Sequence, residues 1–309
     1  MNGSNTDALF RLFLEKLLMK STLLLLLTLG IVFISSGQKQ KINKHLQKEI
    51  QALLKDFHGE LGVYVKNLRT NKIASINADT IFPTASMVKI PILIGVMDKI
   101  NKGELQYHQN LIYKDSLLYA GVDILGSFKN NEQIELSKVM MLMLTMSDNT
   151  ASLWLQSLAG GGKRINEILD SSGFKSTRVN SRTPGREGNR SQYGWGQTTP
   201  YEMVTLFERI YDKEIISDSI SKKMLRLMGR DYWDEEAISQ VPSHIFVAAK
   251  NGAVDESRSE TLLVMAPKNP YIFSICTKNN KDISWNENNE AWTLARKISK
   301  LLWNKFGVK

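Results

Sequence analysis

The chain has 309 residues, of which 42% are hydrophobic and 23% are charged; this composition is typical of a globular protein and excludes a disordered or fibrous chain. The formal net charge is +9, but basic and acidic residues are interleaved along most of the sequence, which favours a solvated surface over a nucleic-acid interface. The one cysteine, Cys276, lies in an apolar run and is expected to be a core residue.

The N-terminal segment predicts export. A largely apolar stretch over residues 22–34 follows Lys20 and is followed by small residues and then by Gln38 and Lys39, which is the pattern of a secretory signal. A bilayer span needs about 20 apolar residues. We therefore interpret residues 1–37 as a signal peptide, with a retained membrane anchor as the alternative. The remainder is expected in the periplasm or at the outer face of the inner membrane.

Strand patterns occur at both ends of the folded region, residues 38–309. Two runs, residues 61–65 and 73–76, flank a polar segment and predict a hairpin. Three later apolar runs also predict strands, at residues 246–249, 261–265 and 271–276. One sheet completed by both ends of the chain follows from this order.

Helical patterns occupy most of the remaining sequence. Apolar spacing predicts a first helix over residues 41–57, a mostly helical region over about 100–235 and a closing helix over 290–306. The expected fold is therefore α/β. An antiparallel sheet flanked by helices, from residues 41–85 and 240–309, lies beside an all-helical lobe, and a cleft separates the two.

The first candidate for chemistry is Ser86-Met87-Val88-Lys89, at the start of a helical stretch. Positions three apart share a helix face, so Lys89 can accept the proton of Ser86 if burial or a second cation lowers the pKa of its amine. The positive end of the helix dipole favours a developing alkoxide on Ser86. A helix start with a solvated lysine is the alternative. Pro91 removes one backbone hydrogen bond, a small loss so close to the helix start.

Two further polar triplets stand at the ends of predicted elements. Ser147-Asp148-Asn149 lies between two helical segments, where a helix cap is the alternative interpretation. Lys250-Asn251-Gly252 follows a predicted strand, where a strand end and a turn would use the same residue types. Each triplet alone is compatible with a purely structural role.

Together, the three motifs resemble the Ser-x-x-Lys, Ser-Asp-Asn and Lys-x-Gly motifs of class A β-lactamases and penicillin-binding proteins, in their order and approximate spacing. The resemblance covers roughly residues 58–305 and extends to Phe82-Pro83, Thr150-Ala151 and Thr198-Thr199-Pro200. It implies the two-lobed β-lactamase fold and a serine hydrolase in which Ser86 is acylated by a cyclic amide or a peptide.

The resemblance also implies a role for each motif residue. Ser86 is the nucleophile, Lys89 is its base, and Ser147 relays a proton to the leaving nitrogen. The backbone N–H groups of Ser86 and Ala253 form the oxyanion hole. Lys250 binds the substrate carboxylate with help from Arg258. The full set of implied substrate-binding residues is Asn149, Lys250, Asn251, Gly252, Ala253 and Arg258.

The sequence departs from the family pattern in two places. Asn251 stands where the family usually has threonine or serine, although its amide still donates a hydrogen bond. In the loop between Thr177 and Thr198, the water-activating glutamate of class A enzymes falls on Thr183 when the loop is aligned from both ends without a gap. We predict that Glu187 activates the deacylating water instead; a solvated loop glutamate is the alternative.

The same loop lacks its usual clamp. The arginine and the aspartate that hold it in class A enzymes fall on Ser181 and Gly196, with Arg182 as an adjacent substitute. A different anchoring of this loop is therefore expected.

The leading hypothesis is a serine β-lactamase that acts on a small-molecule β-lactam. A cell-wall D-alanyl peptidase or amidase is the second, and an envelope binding protein without turnover is the third. The four histidines have no metal-ligand spacing, so no metal and no cofactor are expected. A monomer is expected.

Overall fold

The computed structural model describes residues 40–121, 123–229 and 231–307. The export segment predicted at residues 1–37 lies outside these residues. Over the described ranges, no helix is both long enough and apolar enough to cross a bilayer.

Nine α-helices occur in the described ranges: α1 (Lys44–Leu53), α2 (Lys89–Asn101), α3 (Leu136–Thr145), α4 (Asn149–Leu158), α5 (Gly161–Ser171), α6 (Glu187–Tyr193), α7 (Pro200–Tyr211), α8 (Asp218–Met228) and α9 (Glu290–Phe306). The strands of these ranges are β1 (Lys41–Ile42), β2 (Glu60–Asn67), β3 (Lys72–Ile76), β4 (Phe82–Pro83), β5 (Asn110–Ile112), β6 (Gln133–Glu135), β7 (Arg178–Val179), β8 (Gly196–Thr198), β9 (Val247–Val254), β10 (Ser257–Val264) and β11 (Tyr271–Lys278).

The main sheet has six strands in the order β1-β3-β2-β11-β10-β9. Strand β2, from the start of the domain, pairs antiparallel with β11, from its end, and Val63 lies opposite Ile275. The predicted sheet completed by both ends of the chain is confirmed, and so is the α/β class. Strand β9 lies at one edge of this sheet, so one side of its backbone has no neighbouring strand.

The start of the domain differs from the helix predicted over residues 41–57. Lys41–Ile42 forms β1, which pairs parallel with β3, and α1 begins only at Lys44. The cause is Asn43, whose side-chain oxygen accepts a hydrogen bond from Leu46 N at 3.1 Å and caps the helix. Apolar spacing identifies the buried face of a helix but not the residue at which the helix begins.

Helices cover both faces of the sheet. On one face, α1 and α9 share a core with the strands through Ile50, Ile298 and Leu302. On the other face, α7 packs against β2 and β11. All eight residues of β10 are buried as a result, including the charged side chains of Arg258 and Glu260.

Helix α2 is the central helix of the helical lobe. It packs against α3, α4 and α5, and its residues from Lys89 to Met97 are all buried. A helix surrounded on all sides has no solvated face, so the fold removes Lys89 from water. Pro91 is the third residue of α2, where its missing N–H would have had no intrahelical acceptor.

Candidate active site

Ser86 and Lys89 face each other across one turn. Ser86 lies in a short 3₁₀ turn, Ala85–Val88, and Lys89 is the first residue of α2. The distance between Lys89 Nζ and Ser86 Oγ is 3.0 Å. Ala85 has a φ of 43°, a left-handed conformation that is unfavourable for alanine. The tight turn therefore holds backbone strain directly before Ser86.

The second triplet lies against the same lysine. Ser147 lies between α3 and α4, and Asn149 is the first residue of α4. Lys89 Nζ lies 3.0 Å from Ser147 Oγ and 2.9 Å from Asn149 Oδ1. The middle residue, Asp148, caps α4 by accepting a hydrogen bond from Ala151 N at 2.7 Å. The triplet is thus both a helix cap and part of the Lys89 environment.

More oxygen atoms surround the Lys89 amine than the three N–H donors of an ammonium group can bind. Four oxygens lie within hydrogen-bond distance of its Nζ: Ser86 Oγ, Ser147 Oγ, the Ser147 carbonyl oxygen and Asn149 Oδ1. The carbonyl and amide oxygens only accept, so they take two N–H groups. One position remains, and it faces two hydroxyls. In the neutral amine this position is a lone pair, which accepts the hydroxyl proton of Ser86.

The electrostatics of the site favour this neutral amine. Burial lowers the pKa of Lys89 well below the 10.5 of an ordinary lysine, and the charge of Lys250 lowers it further. The carboxylates of Asp123, Asp148 and Asp231 oppose the shift with smaller effects. Lys89 is therefore suited to act as a base towards Ser86 near neutral pH.

The third triplet lies on strand β9. Lys250 is 0% exposed, and its Nζ donates a hydrogen bond to Asn251 Oδ1 at 3.0 Å. The Asn251 amide in turn donates to the Trp233 carbonyl oxygen at 3.2 Å. Burial lowers the pKa of Lys250, and the nearby carboxyl of Asp231, 4.0 Å away, opposes that shift. Asn251 therefore holds Lys250 and Trp233 together.

Strand β9 runs directly beside the serine. A Cβ placed on Gly252 would lie 2.5 Å from Thr84 O and 2.6 Å from Ser86 N, so only glycine allows this approach. The next residue, Ala253, lines the same cavities as Ser86. The predicted oxyanion donors, the N–H groups of Ser86 and Ala253, thus belong to adjoining backbone segments at the open edge of the sheet.

Two cavities meet at Ser86. The first has a volume of about 400 Å³ and is lined by Tyr119 and by residues 192–195. The second has a volume of about 780 Å³ and is lined by Ser147 and by three tryptophans. Ala253 lines both cavities. The serine is therefore accessible to a substrate with a substituent on each side of the reacting bond.

Arg258 is not brought together with the other predicted residues. It lies opposite Ala253 in the pairing of β9 and β10, and its guanidinium donates to the carbonyl oxygen of Ser284 at 2.9 Å. Its Cζ lies 4.4 Å from the ring centre of Trp285 and 4.8 Å from that of Trp292. These contacts hold the Arg258 guanidinium at the end of the β9–β10 hairpin. The carboxylate-binding role predicted for it has no support from this position.

Glu187 also lies away from the serine. It is the first residue of α6, it is exposed, and its Oε1 accepts a hydrogen bond from Gly185 N at 3.1 Å. It lines neither of the two cavities at Ser86. The side chain thus bonds to the backbone just before its own helix, so its position does not support the predicted role in deacylation. Thr183 is buried and donates a hydrogen bond to the Ser181 carbonyl oxygen at 2.9 Å.

The loop is anchored by an arginine that the sequence alignment did not identify. Arg186 Nε donates to Asn180 Oδ1 at 2.6 Å, and its Nη2 donates to Gln197 Oε1 at 2.8 Å. These bonds join the two ends of the loop. Arg182, the substitute proposed from the sequence, is exposed. Two acidic residues near the site had no signal in the sequence. Asp123 accepts a hydrogen bond from Thr150 N, and Asp231 Oδ2 lies 4.0 Å from Lys250 Nζ.

An accessible serine, Ser86, in contact with the buried amine of Lys89 and beside a strand edge is the arrangement of an acyl-transferring serine hydrolase. The relationship to known proteins agrees with this class. The model of the Beta-lactamase enzyme family matches residues 44–306, and the chain belongs to this family. The resemblance to class A β-lactamases is confirmed.

Individual relatives are similar over nearly their whole length. The chain is 25% identical over 305 residues to the β-lactamase VEB-1 of Pseudomonas aeruginosa, a match that covers 94% of this chain and 98% of that protein. The solved structure of PBP-A has a TM-score of 0.76 at 24% identity and covers 86% of this chain and 97% of its own. A β-lactamase from Chitinophaga pinensis DSM 2588 has a TM-score of 0.76 at 20% identity, covering 84% and 99% respectively.

The lowered pKa of Lys89 predicts the pH dependence of acylation. The rate constant for acylation should rise with pH as the Lys89 ammonium loses its proton, and it should level off below pH 10.5, because burial depresses this pKa. Stopped-flow measurement with nitrocefin from about pH 5 to about pH 10 checks this. Lys89→Arg, which stays protonated, should lose about 10²- to 10⁴-fold in rate. A rate that keeps rising across the whole range would contradict the prediction.

Proposed function

We propose that the protein opens β-lactam rings by transferring the acyl group to Ser86 Oγ. The observation that supports this most directly is the 3.0 Å contact between Ser86 Oγ and the buried amine of Lys89. A hydroxyl becomes nucleophilic when a neighbouring base takes its proton. The motif residues Ser147, Asn149 and Lys250 surround this pair in the arrangement that ring opening requires.

The first step follows from these positions. Ser86 Oγ attacks the carbonyl carbon, and the Ser86 proton passes to Lys89 Nζ. The developing oxyanion accepts hydrogen bonds from the N–H groups of Ser86 and Ala253. Ser147 Oγ, 3.0 Å from Lys89 Nζ, then donates a proton to the ring nitrogen as the C–N bond breaks, and takes one back from Lys89. The result is an ester on Ser86 and a neutral Lys89 amine.

The electrostatic contribution comes from Lys250. Its ammonium is buried beneath the strand edge and close enough to Lys89 to lower the pKa of that residue. The same positive charge attracts the carboxylate that β-lactams carry next to the ring nitrogen. Lys250 therefore acts on both the base and the substrate.

The second step, hydrolysis of the ester, takes place without a carboxylate from the loop of residues 177–198. Glu187 is the one acidic residue in this loop, and it lines neither cavity. The base nearest to the ester oxygen is Lys89, which is neutral again once the ring nitrogen is protonated. We infer that Lys89 activates the water in this step and that ester hydrolysis is slower than acylation.

A D-alanyl peptidase or amidase is the second candidate function. It uses the same acylation step, and the absence of a loop carboxylate from both cavities favours it, because a slowly hydrolysed β-lactam ester is the behaviour of a penicillin-binding protein. A PBP-A variant in an acyl-enzyme complex with penicillin G has the same fold, with a TM-score of 0.76 at 23% identity. Release of D-alanine from a pentapeptide, measured beside nitrocefin turnover, distinguishes the two functions.

Removing the nucleophile tests the acylation step. After exposure to penicillin G, intact mass spectrometry of the wild-type protein should show an increase equal to the whole β-lactam, because ring opening releases no fragment. Ser86→Ala should show no adduct, and its nitrocefin turnover should fall at least about 10³-fold. Ser157→Ala, at an exposed position on α4, serves as the matched control and should behave like the wild type. Ring opening that survives in Ser86→Ala would refute the proposal.

A second substitution tests the hydrolysis step. Glu187→Gln should leave steady-state nitrocefin turnover within about twofold of the wild type, because a surface carboxylate contributes little to a reaction it does not contact. Arg186→Ala, in the same loop, should lower turnover because it removes both hydrogen bonds that join the ends of the loop. An ester that is hydrolysed at least about tenfold more slowly in Glu187→Gln than in the wild type would show that Glu187 is the hydrolytic base and that the inference about Lys89 is wrong.

A further inference from the structure

The second cavity at Ser86 differs in chemistry from the first. Ser147 lines the second cavity and not the first. Ser147 delivers the proton to the leaving nitrogen, so this nitrogen lies beside the second cavity. A substituent carried on the same side of the substrate as the leaving nitrogen therefore points into this cavity. The chemistry of this cavity therefore selects what the leaving side of the substrate carries.

Aromatic rings form a fixed wall of this cavity. Trp233 is 43% exposed and Trp285 is 60% exposed, and both line the cavity. Trp233 Nε1 donates to the Met146 carbonyl oxygen at 3.2 Å, and its own carbonyl oxygen accepts from Asn251 at 3.2 Å. Trp285 Nε1 donates to Asp255 Oδ1 at 3.2 Å. Large rings with anchored polar groups offer a rigid flat surface to a ligand.

The charges on the cavity wall are all of one sign. Among the described residues that line it, the charged side chains are carboxylates, and none is a lysine or an arginine. Glu236 is paired with Arg296 at 2.5 Å. Glu235 and Glu287 are exposed and form no ion pair with any residue of the described ranges. Arg296, the partner of Glu236, also donates from its Nη2 to the Glu287 backbone carbonyl oxygen. The side-chain carboxylates of Glu235 and Glu287 therefore stand beside the tryptophans without a direct ion-pair partner among the described residues.

The positive charge that would oppose a cation is kept out of the cavity. The Arg258 guanidinium stacks on Trp285 and Trp292 at 4.4 and 4.8 Å but does not line the cavity. Lys250 is fully buried under the strand. A ligand in the second cavity therefore meets aromatic faces and carboxylates, the combination that attracts an organic cation.

We propose that the second cavity is a specificity subsite for a positively charged, ring-bearing substituent on the leaving side of the substrate, bound by Trp233, Trp285, Glu235 and Glu287. This inference rests on the proposed acylation of Ser86. The preferred substrate is then zwitterionic. Its carboxylate lies towards Lys250, close to the reacting bond, and its cation lies farther out, against the tryptophans and the two glutamates.

Two cephalosporins test the subsite, because cephaloridine and cephalothin share the same acylamino group and differ in carrying a pyridinium or an acetoxy group on the leaving side. The second-order rate constant for acylation of Ser86, measured by stopped flow, should favour the pyridinium compound. Each acylation rate constant is divided by the enzyme-free ring-opening rate of the same compound. We expect the normalised rate constant to be about 3- to 10-fold higher for the pyridinium compound at low salt. The double variant Glu235→Gln/Glu287→Gln should reduce this ratio at least about 3-fold.

A charge-matched control separates a local effect from a change in net charge. The double variant Glu104→Gln/Glu214→Gln also removes two negative charges, from exposed positions that line neither cavity, and the preference should remain at the wild-type ratio. Equal normalised rates for the two compounds in the wild type, or a ratio unchanged in the double variant, would overturn the subsite while leaving Ser86 acylation intact. If neither compound acylates Ser86, the proposed function itself fails.

Discussion

The removal of the Lys89 amine from water is the constraint on which the site depends. Helix α2 is packed on all sides at its N-terminal end, so the Lys89 side chain is 0% exposed. An ammonium ion in such a place loses its hydration, and the protein meets this cost by binding the neutral form. The oxygens around Nζ then orient its lone pair towards Ser86. Packing of an apolar helix thus produces a base.

A second buried lysine strengthens the same effect. Lys250 lies under the edge strand, with Asp231 Oδ2 4.0 Å from its Nζ. The nearby Glu260 does not cancel its charge, because burial raises the pKa of Glu260 to about 8 and keeps it mostly protonated at neutral pH. Lys250 therefore stays electropositive towards both Lys89 and an incoming carboxylate. Removing either Lys250 or Asp231 would leave the other as an unpaired buried charge and would lower the stability of the fold. The same pair therefore contributes both to stability and to the reactivity of the site.

Much of the fold and of the reactive centre was predictable from the sequence. Strand patterns at both ends of the chain predicted the shared sheet, since a strand buried on both faces leaves a long, mostly apolar run, as in β11. The spacing of Ser86 and Lys89 predicted their contact because three residues make one turn. The closing helix over residues 290–306 has the bounds that its apolar spacing predicted. These features depend on local periodicity, which a single sequence contains.

The parts that were not predictable depend on orientation and on pairing across distance. Arg258 is close to Lys250 along the chain, but its side chain follows the strand register to the hairpin end and stacks on Trp285. Glu187 accepts a hydrogen bond from Gly185 N in its own loop, and Arg186, not Arg182, joins the ends of that loop. No periodicity encodes these choices, because each depends on which backbone groups the folded loop leaves unpaired.

The reactivity of Ser86 depends on the protonation state of Lys89, which an NMR titration of the lysine side chains observes directly. In protein with isotope-labelled lysine, the Lys89 ε-carbon signal is assigned by its loss in Lys89→Arg. We expect this signal to titrate at a pH well below the 10.5 of an ordinary lysine side chain. If Lys89 titrated together with the exposed lysines, its amine would be a solvated ammonium at neutral pH, and the base proposed for Ser86 would not exist.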